Sequence, residues 1–179
     1  MFLQLKAKRL NKKARKLAAA GAYKKAINAL SQSISIQPDN SNSYWLRGNY
    51  WGVLKQYNKA VADHHKVTEL DPLSAEAWGT LGWWLILEER WQEALPVSMK
   101  AHELNPDSYS WALNIGHIYI LFFHNESVAR KYYEKALVNI NDEAAFKNGP
   151  VKDFEFFIKK NWQKELCERY LMWMKNKFN

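Results

Sequence analysis

The side chains best able to do chemistry are five histidines, one cysteine and a cluster of cations, and their spacing decides between catalysis and recognition. His64, His65, His102, His117 and His124 never stand four apart around an acid, the helical spacing that lets two imidazoles share a metal beside a general base. Cys167 is the single cysteine, so no internal disulfide can form, and no histidine sits at a predictable spacing to deprotonate it. The seven glycines are scattered and make no phosphate-cradling loop. The chain is therefore read as a non-enzyme with no catalytic residue, metal or cofactor. What remains is recognition. Lys8, Lys12 and Arg15, spaced four and three, share one helical face and suit acidic side chains or a terminal carboxylate.

Charge sharpens that reading by its position. Residues 1–40 carry nine of the 26 cations against Asp39 alone, whereas residues 41–179 are balanced, so the whole net charge of +8 belongs to the first stretch. Two readings follow: a solvated end face that keeps a stack dispersed, or a docking site at one end for something acidic. A surface that tracks a nucleic-acid backbone would spread its cations along a groove, so confinement to one end makes nucleic acid an unlikely partner. No apolar run approaches the ~20 residues of a membrane helix, because Trp83–Leu87 is soon followed by Glu88, Glu89 and Arg90. The expectation is a cytoplasmic protein with no membrane partner.

The elements that must position these residues are visible as a repeat. Pro38, Pro72 and Pro106 are 34 residues apart, and Ala14, Gly48, Gly82 and Gly116 share one register. Tyr23, Tyr57 and Trp91 form a further column, followed three residues later by Ala26, Ala60 and Ala94. Self-similarity at this period marks stacked supersecondary units, none of which can bury its apolar face alone. Within a unit, Trp78, Leu81, Trp84 and Leu85 fall at helical intervals, as do Ala94, Leu95 and Ala101, which gives two antiparallel helices. The small residues let the paired helices approach, and each proline ends one unit and presets φ for the next.

The pattern Trp78, Leu81, Gly82, Trp91, Ala94, Ala101, Pro106 resembles the tetratricopeptide repeat. The resemblance implies an all-α, right-handed α-solenoid of about four antiparallel helix pairs with a C-terminal capping helix. The expected units are 7–40, 41–74, 75–108 and 109–142. The fourth is degenerate: Ala129, Tyr133 and Ala136 stand 35 residues after Ala94, Ser98 and Ala101, which places one extra residue around Phe122–Glu126, and Asn141 replaces the proline. Residues 143–179 are expected to be a turn or breaker at Asn148-Gly149-Pro150 followed by the capping helix. That helix carries the stripe Val151, Phe154, Phe157, Ile158, Trp162, Leu166, Tyr170, Trp173 and Met174, with a possible break near Asn161. Phe156, Met172 and Trp173 widen the stripe enough to suit a homodimer partner.

In tetratricopeptide-like stacks the first helix of each unit lines the concave surface. Carried over by register, the groove-facing candidates here are Lys8, Asn11, Lys12, Arg15, Trp45, Asn49, Trp83, Asn114 and His117. Such a groove is basic at its N-terminal end and aromatic in its middle. Trp45 and Trp83 would hold apolar side chains, while Asn49 and Asn114 would hydrogen-bond the main chain of a bound segment. His64 falls in a column held elsewhere by Leu30 and Ser98, which suggests a packing role. Family members that clamp the C-terminal peptide of heat-shock chaperones present asparagines and lysines across successive repeats. This chain has Trp45 and Gly79 where that help would stand, so that specificity is not inferred. The functional reading is an adaptor or chaperone that binds another protein or peptide with acidic and apolar side chains. The alternatives are an inhibitor that occludes a partner, immunity-protein fashion, and a nucleic-acid-associated factor using the basic first repeat.

Overall fold

Four polar side chains fix where helices begin in a computed structural model that describes residues 2–178. Asn40 accepts a hydrogen bond from the Ser43 amide at 3.2 Å, Ser74 from Ala77 at 3.1 Å, Asn125 from Val128 at 3.1 Å and Asp142 from Ala145 at 2.7 Å. Each satisfies an amide that the first helical turn leaves free. The helices are α1 (Phe2–Ala19), α2 (Tyr23–Ile36), α3 (Ser41–Val53), α4 (Tyr57–Leu70), α5 (Ala75–Leu87), α6 (Trp91–Leu104), α7 (Tyr109–Leu121) and α8 (Glu126–Asn139). They pack in consecutive pairs, and each second helix also touches the first helix of the next pair. The result is a right-handed α-solenoid without a strand among the described residues.

The hairpin turns carry the repeat into the backbone. A left-handed residue recurs at Gly21 (φ 74°), Lys55 (φ 58°) and Glu89 (φ 60°), each 34 residues after the last, and next at His124 (φ 51°), 35 residues on. The extra residue of the fourth unit therefore precedes His124, inside the inter-helix turn. Within pairs, the glycine column sets the approach. A Cβ on Gly48 would stand 2.7 Å from the His64 ring and one on Gly116 2.5 Å from the Tyr133 ring, so a larger residue would force the helices apart.

Two cores of different character result. The first three helices enclose a small cluster of Ala14, Ala26, Ala29, Leu30 and Leu46. Beside it lies a buried polar network, in which Asn11 and Ser43 exchange hydrogen bonds at 2.9 and 3.1 Å and Ser33 donates to the Ala7 carbonyl at 3.2 Å. From Val61 onward one continuous apolar core runs to Met174, with Tyr133, Phe154 and Phe157 fully enclosed. Arg47 ties α2, α3 and α4 together: it grips Asp63 with two nitrogens at 2.9 and 2.7 Å and donates to Ser31 at 3.0 Å.

The C-terminal segment differs from the expected turn and single helix. α9 (Glu143–Phe146) runs through a π turn at Lys147–Val151 into α10 (Lys152–Lys159), so Asn148-Gly149-Pro150 lies within a helical rod and breaks nothing. A widened turn relieves the clash between a proline ring and the carbonyl one turn back, which is why Pro150 is tolerated. The chain then reverses through Asn161 (φ 58°) and Gln163 (φ 45°), at the foreseen break, into α11 (Lys164–Phe178). Phe146 stacks on Phe178 at 4.2 Å and closes this fifth hairpin. Trp173 is half-buried beside Tyr170 with the Arg130 guanidinium 4.9 Å from its ring, and Met172 stays exposed.

Candidate functional site

The leading helices α1, α3, α5 and α7 touch in sequence and form one continuous face. Arg15 donates to Asn42 at 3.1 Å across α1 and α3, and Asn114 donates to the Gly79 carbonyl at 2.9 Å across α5 and α7. At the first end Lys8, Lys12 and Arg15 project together and are exposed. None of the nine cations of α1 and α2 has a carboxylate within 4.0 Å among the described residues. Elsewhere lysines and arginines pair along their own helices, as Lys66 with Glu69 and Arg90 with Glu93 do. Unpaired cations elsewhere, such as Lys59 and Lys175, belong to a stretch with as many acids as bases, whereas this end sets nine cations against Asp39 alone.

The other candidates divide. Trp45 is half-buried, with the His64 ring edge-on at 5.0 Å, and Asn49 accepts from His64 Nε2 at 3.1 Å. Both remain on the face, though each is held by α4. Asn11 and Asn114 are buried, with their amides spent on Ser43 and on the Gly79 carbonyl. They lie in the seam between neighbouring leading helices, where buried Gly79 and Leu113 also sit, so the groove-facing expectation is corrected for both. His117 is corrected more strongly. It is 0% exposed, with Nδ1 3.0 Å from the Tyr133 hydroxyl and Nε2 3.3 Å from Asp153 Oδ2. Burial pushes the Tyr133 hydroxyl well above its usual range, so it remains a donor to Nδ1. The cause is α10, whose Phe154 and Phe157 cover His117 at 5.3 and 4.8 Å between ring centres. Phe157 also rests on Trp83 at 6.2 Å and removes part of that indole from the face.

α10 thereby builds a feature that the repeat columns do not contain. Between α5, α7 and the π turn lies a cavity of about 280 Å³, lined among others by Trp83, Tyr109, Trp111 and Asp153. Tyr109 and Trp111 lie outside the columns expected to face the groove. The signal was there: Trp111 stands where earlier units have Ser43 and Ala77, and Tyr109 where they have Ser41 and Ala75. Asp153 lies beyond the repeats, and no periodic argument reaches it.

Burial settles the chemistry of the remaining nucleophile. Cys167 is enclosed, its thiol donates to the Trp162 carbonyl at 3.3 Å, and desolvation pushes it up to about 12, so the thiolate is scarce at neutral pH. The described residues hold no cluster of three histidine, cysteine or acidic groups suited to a metal, and no helix long and apolar enough to cross a membrane.

Comparison with known proteins agrees with this architecture. No family model matches the chain. It is 27% identical over 103 residues to small glutamine-rich tetratricopeptide repeat-containing protein 2 of Mycosarcoma maydis, a match that covers 58% of this chain and 29% of that protein. The chain spans less than a third of the length of the curated relatives it matches. Among solved structures, MamA superposes with a TM-score of 0.71 at 21% identity, covering 92% of this chain and 93% of its own. The first tetratricopeptide domain of Spaghetti (RPAP3), bound to the HSP90 peptide SRMEEVD, superposes with a TM-score of 0.61 at 22% identity, covering 64% of this chain and 91% of its own. Repeat columns, named relatives and helix-pair architecture converge: the chain is similar in sequence to named tetratricopeptide repeat-containing proteins and shares the α-solenoid fold of the solved structures.

Proposed function

We propose that the chain is a non-enzymatic adaptor that holds an acidic segment of another protein against the face of its leading helices. The acidic residues lie over Lys8, Lys12 and Arg15, and an apolar side chain packs beside Trp45. The observation that carries this reading is the uncompensated charge of α1. Its three face cations are exposed, lie on one side of the helix and lack carboxylate neighbours. Such a local field raises the encounter rate with acidic segments and forms charge-assisted hydrogen bonds once they dock. Trp45 suits the apolar half, because a half-buried indole already held by His64 loses little freedom on binding. The peptide bound to the Spaghetti domain, with two glutamates and an aspartate in seven residues, is of the same chemical class.

Calorimetry with SRMEEVD and its counterpart SRMQQVN, in which amides replace the three acidic side chains, tests the proposal. The acidic peptide should bind, the amide peptide should bind at least about tenfold more weakly, and the combined Lys8→Glu, Lys12→Glu, Arg15→Glu chain should lose at least the same factor, about 1.4 kcal/mol. Equal binding of both peptides, or of the acidic peptide to both chains, defeats the proposal.

A further inference from the structure

We infer that the cavity between α5, α7 and the π turn is a receptor for an arginine side chain, and that the docking face is therefore bipolar: anion-binding at α1 and cation-binding at its far end. This extends the docking reading for the partner's nature, but its chemistry stands on separate residues.

The cavity is built by omission and by addition. Trp111 lies directly on Gly79, where any Cβ would intrude into its ring, and Tyr109 rests beside Gly149, where a Cβ would stand 3.3 Å away. With Trp83 these rings give three aromatic walls around about 280 Å³. The one carboxylate lining it is Asp153, whose side chain is 21% exposed. Its Oδ2 is 3.3 Å from His117 Nε2, and no lysine or arginine comes within 4.0 Å of it among the described residues. A carboxylate drawn partly out of water without a cation is an incomplete pair. Aromatic rings attract cations through their negative faces, and a guanidinium both stacks on such rings and forks onto a carboxylate. An apolar side chain in the same space would desolvate Asp153 further with nothing to offset the loss, and an anion would be repelled. The occupant that satisfies every wall is arginine.

The test uses the full chain and a single-residue probe. In a titration followed by the indole NH signals of Trp83 and Trp111, Nα-acetyl-arginine amide should shift both saturably, with millimolar affinity expected of so small a ligand. The neutral isostere Nα-acetyl-citrulline amide should bind at least about fivefold more weakly, which tests the charge without any variant. Asp153→Asn should lose about tenfold, because the amide oxygen can still accept from His117 while the charge is gone. Citrulline amide matching arginine amide, or indole signals that stay fixed up to about 50 mM of probe, overturns the inference. The two readings fail separately. Arginine amide should bind the Lys8→Glu, Lys12→Glu, Arg15→Glu chain as it binds the unaltered one, so indoles silent to arginine in a chain that binds SRMEEVD discard the cavity alone. Indoles that respond in a chain indifferent to SRMEEVD discard the α1 proposal alone.

Discussion

His64 makes the stability of this stack depend on pH in a calculable way. Its ring is 0% exposed, packed against Gly48 and beside Trp45 and Trp84. Asn49 Oδ1 can only accept, so Nε2 carries the ring proton and donates at 3.1 Å, which leaves Nδ1 bare and without a partner. A second proton would have to enter at Nδ1, which is closed to solvent and faces no acceptor. Desolvation accordingly pushes the imidazole down to about 3 from its ordinary 6.5. Above pH 6.5 both folded and unfolded chains hold it neutral and it contributes no slope. Below 6.5 the unfolded chain binds a proton that the folded chain refuses, so stability falls as pH falls, by about 1.4 kcal/mol per pH unit, until the folded group titrates near 3. Between pH 7 and pH 5 the loss from this residue is about 2 kcal/mol. Urea unfolding at several pH values, for the natural chain and for His64→Gln, isolates the effect. Glutamine can still donate to Asn49 but does not titrate, and the exposed histidines cancel in the difference. The gap between the two chains should narrow by about 2 kcal/mol from pH 7 to pH 5, with glutamine gaining on histidine. A gap that stays constant would refute the burial argument, as would a signal assigned to the His64 imidazole that titrates near 6.5 in the folded chain.

Two further substitutions probe the joints of the stack. Arg47→Ala strands the Asp63 carboxylate, 5% exposed, and should cost about 3 kcal/mol in urea unfolding, whereas Arg47→Met with Asp63→Leu should recover most of it; no recovery would mean that Arg47 acts through its contact with Ser31. Trp83→Ala should cost about 2 kcal/mol and loosen α10, because part of the indole packs against Phe157 and His117; an unchanged urea midpoint would return Trp83 to the status of a free surface anchor.

The repeat was legible because its determinants are local. Proline ends a helix wherever it occurs after Leu70-Asp71 or Leu104-Asn105, and a glycine facing a partner ring announces itself by recurrence at Gly48, Gly82 and Gly116. Even the inserted residue could be counted, and the backbone shows it as a one-residue delay of the left-handed position to His124. The misplaced residues share a different cause. Asn-Gly-Pro is a turn signal only when the chain has no reason to continue helically, and here Phe146, Val151 and Phe154 on either side all reach one core. Which side of α7 is wet depends on a helix some 40 positions downstream, so His117 looks like a groove residue until Phe157 covers it. Asn11 and Asn114 fall on the boundary between groove and seam, where one step of helical rotation decides between solvent and a neighbour's backbone.

The two ends of the stack are stabilised by unlike means, and the proposed docking site lies at the weaker end. From Val61 onward the apolar core is continuous through the fifth hairpin, so those units share one cooperative interior. The first hairpin contributes six small or medium buried apolar residues, Ala7, Ala14, Ala26, Ile27, Ala29 and Leu30, and shares a serine–asparagine network with α3, while Phe2, Leu3 and Leu5 remain exposed. It also carries nine cations that repel one another with no carboxylate to relieve them. In a solenoid, stability is a sum of unit and interface contributions, so an end unit with small buried side chains and a neighbour on one side only opens before the rest. A ligand that neutralises α1 removes self-repulsion and stabilises that unit by mass action, so part of its binding free energy goes into ordering the hairpin it binds. Uncompensated charge is thus a stability cost to the free chain that an acidic partner reverses. An end face shaped only for dispersal would gain nothing from concentrating its cations on the least supported hairpin.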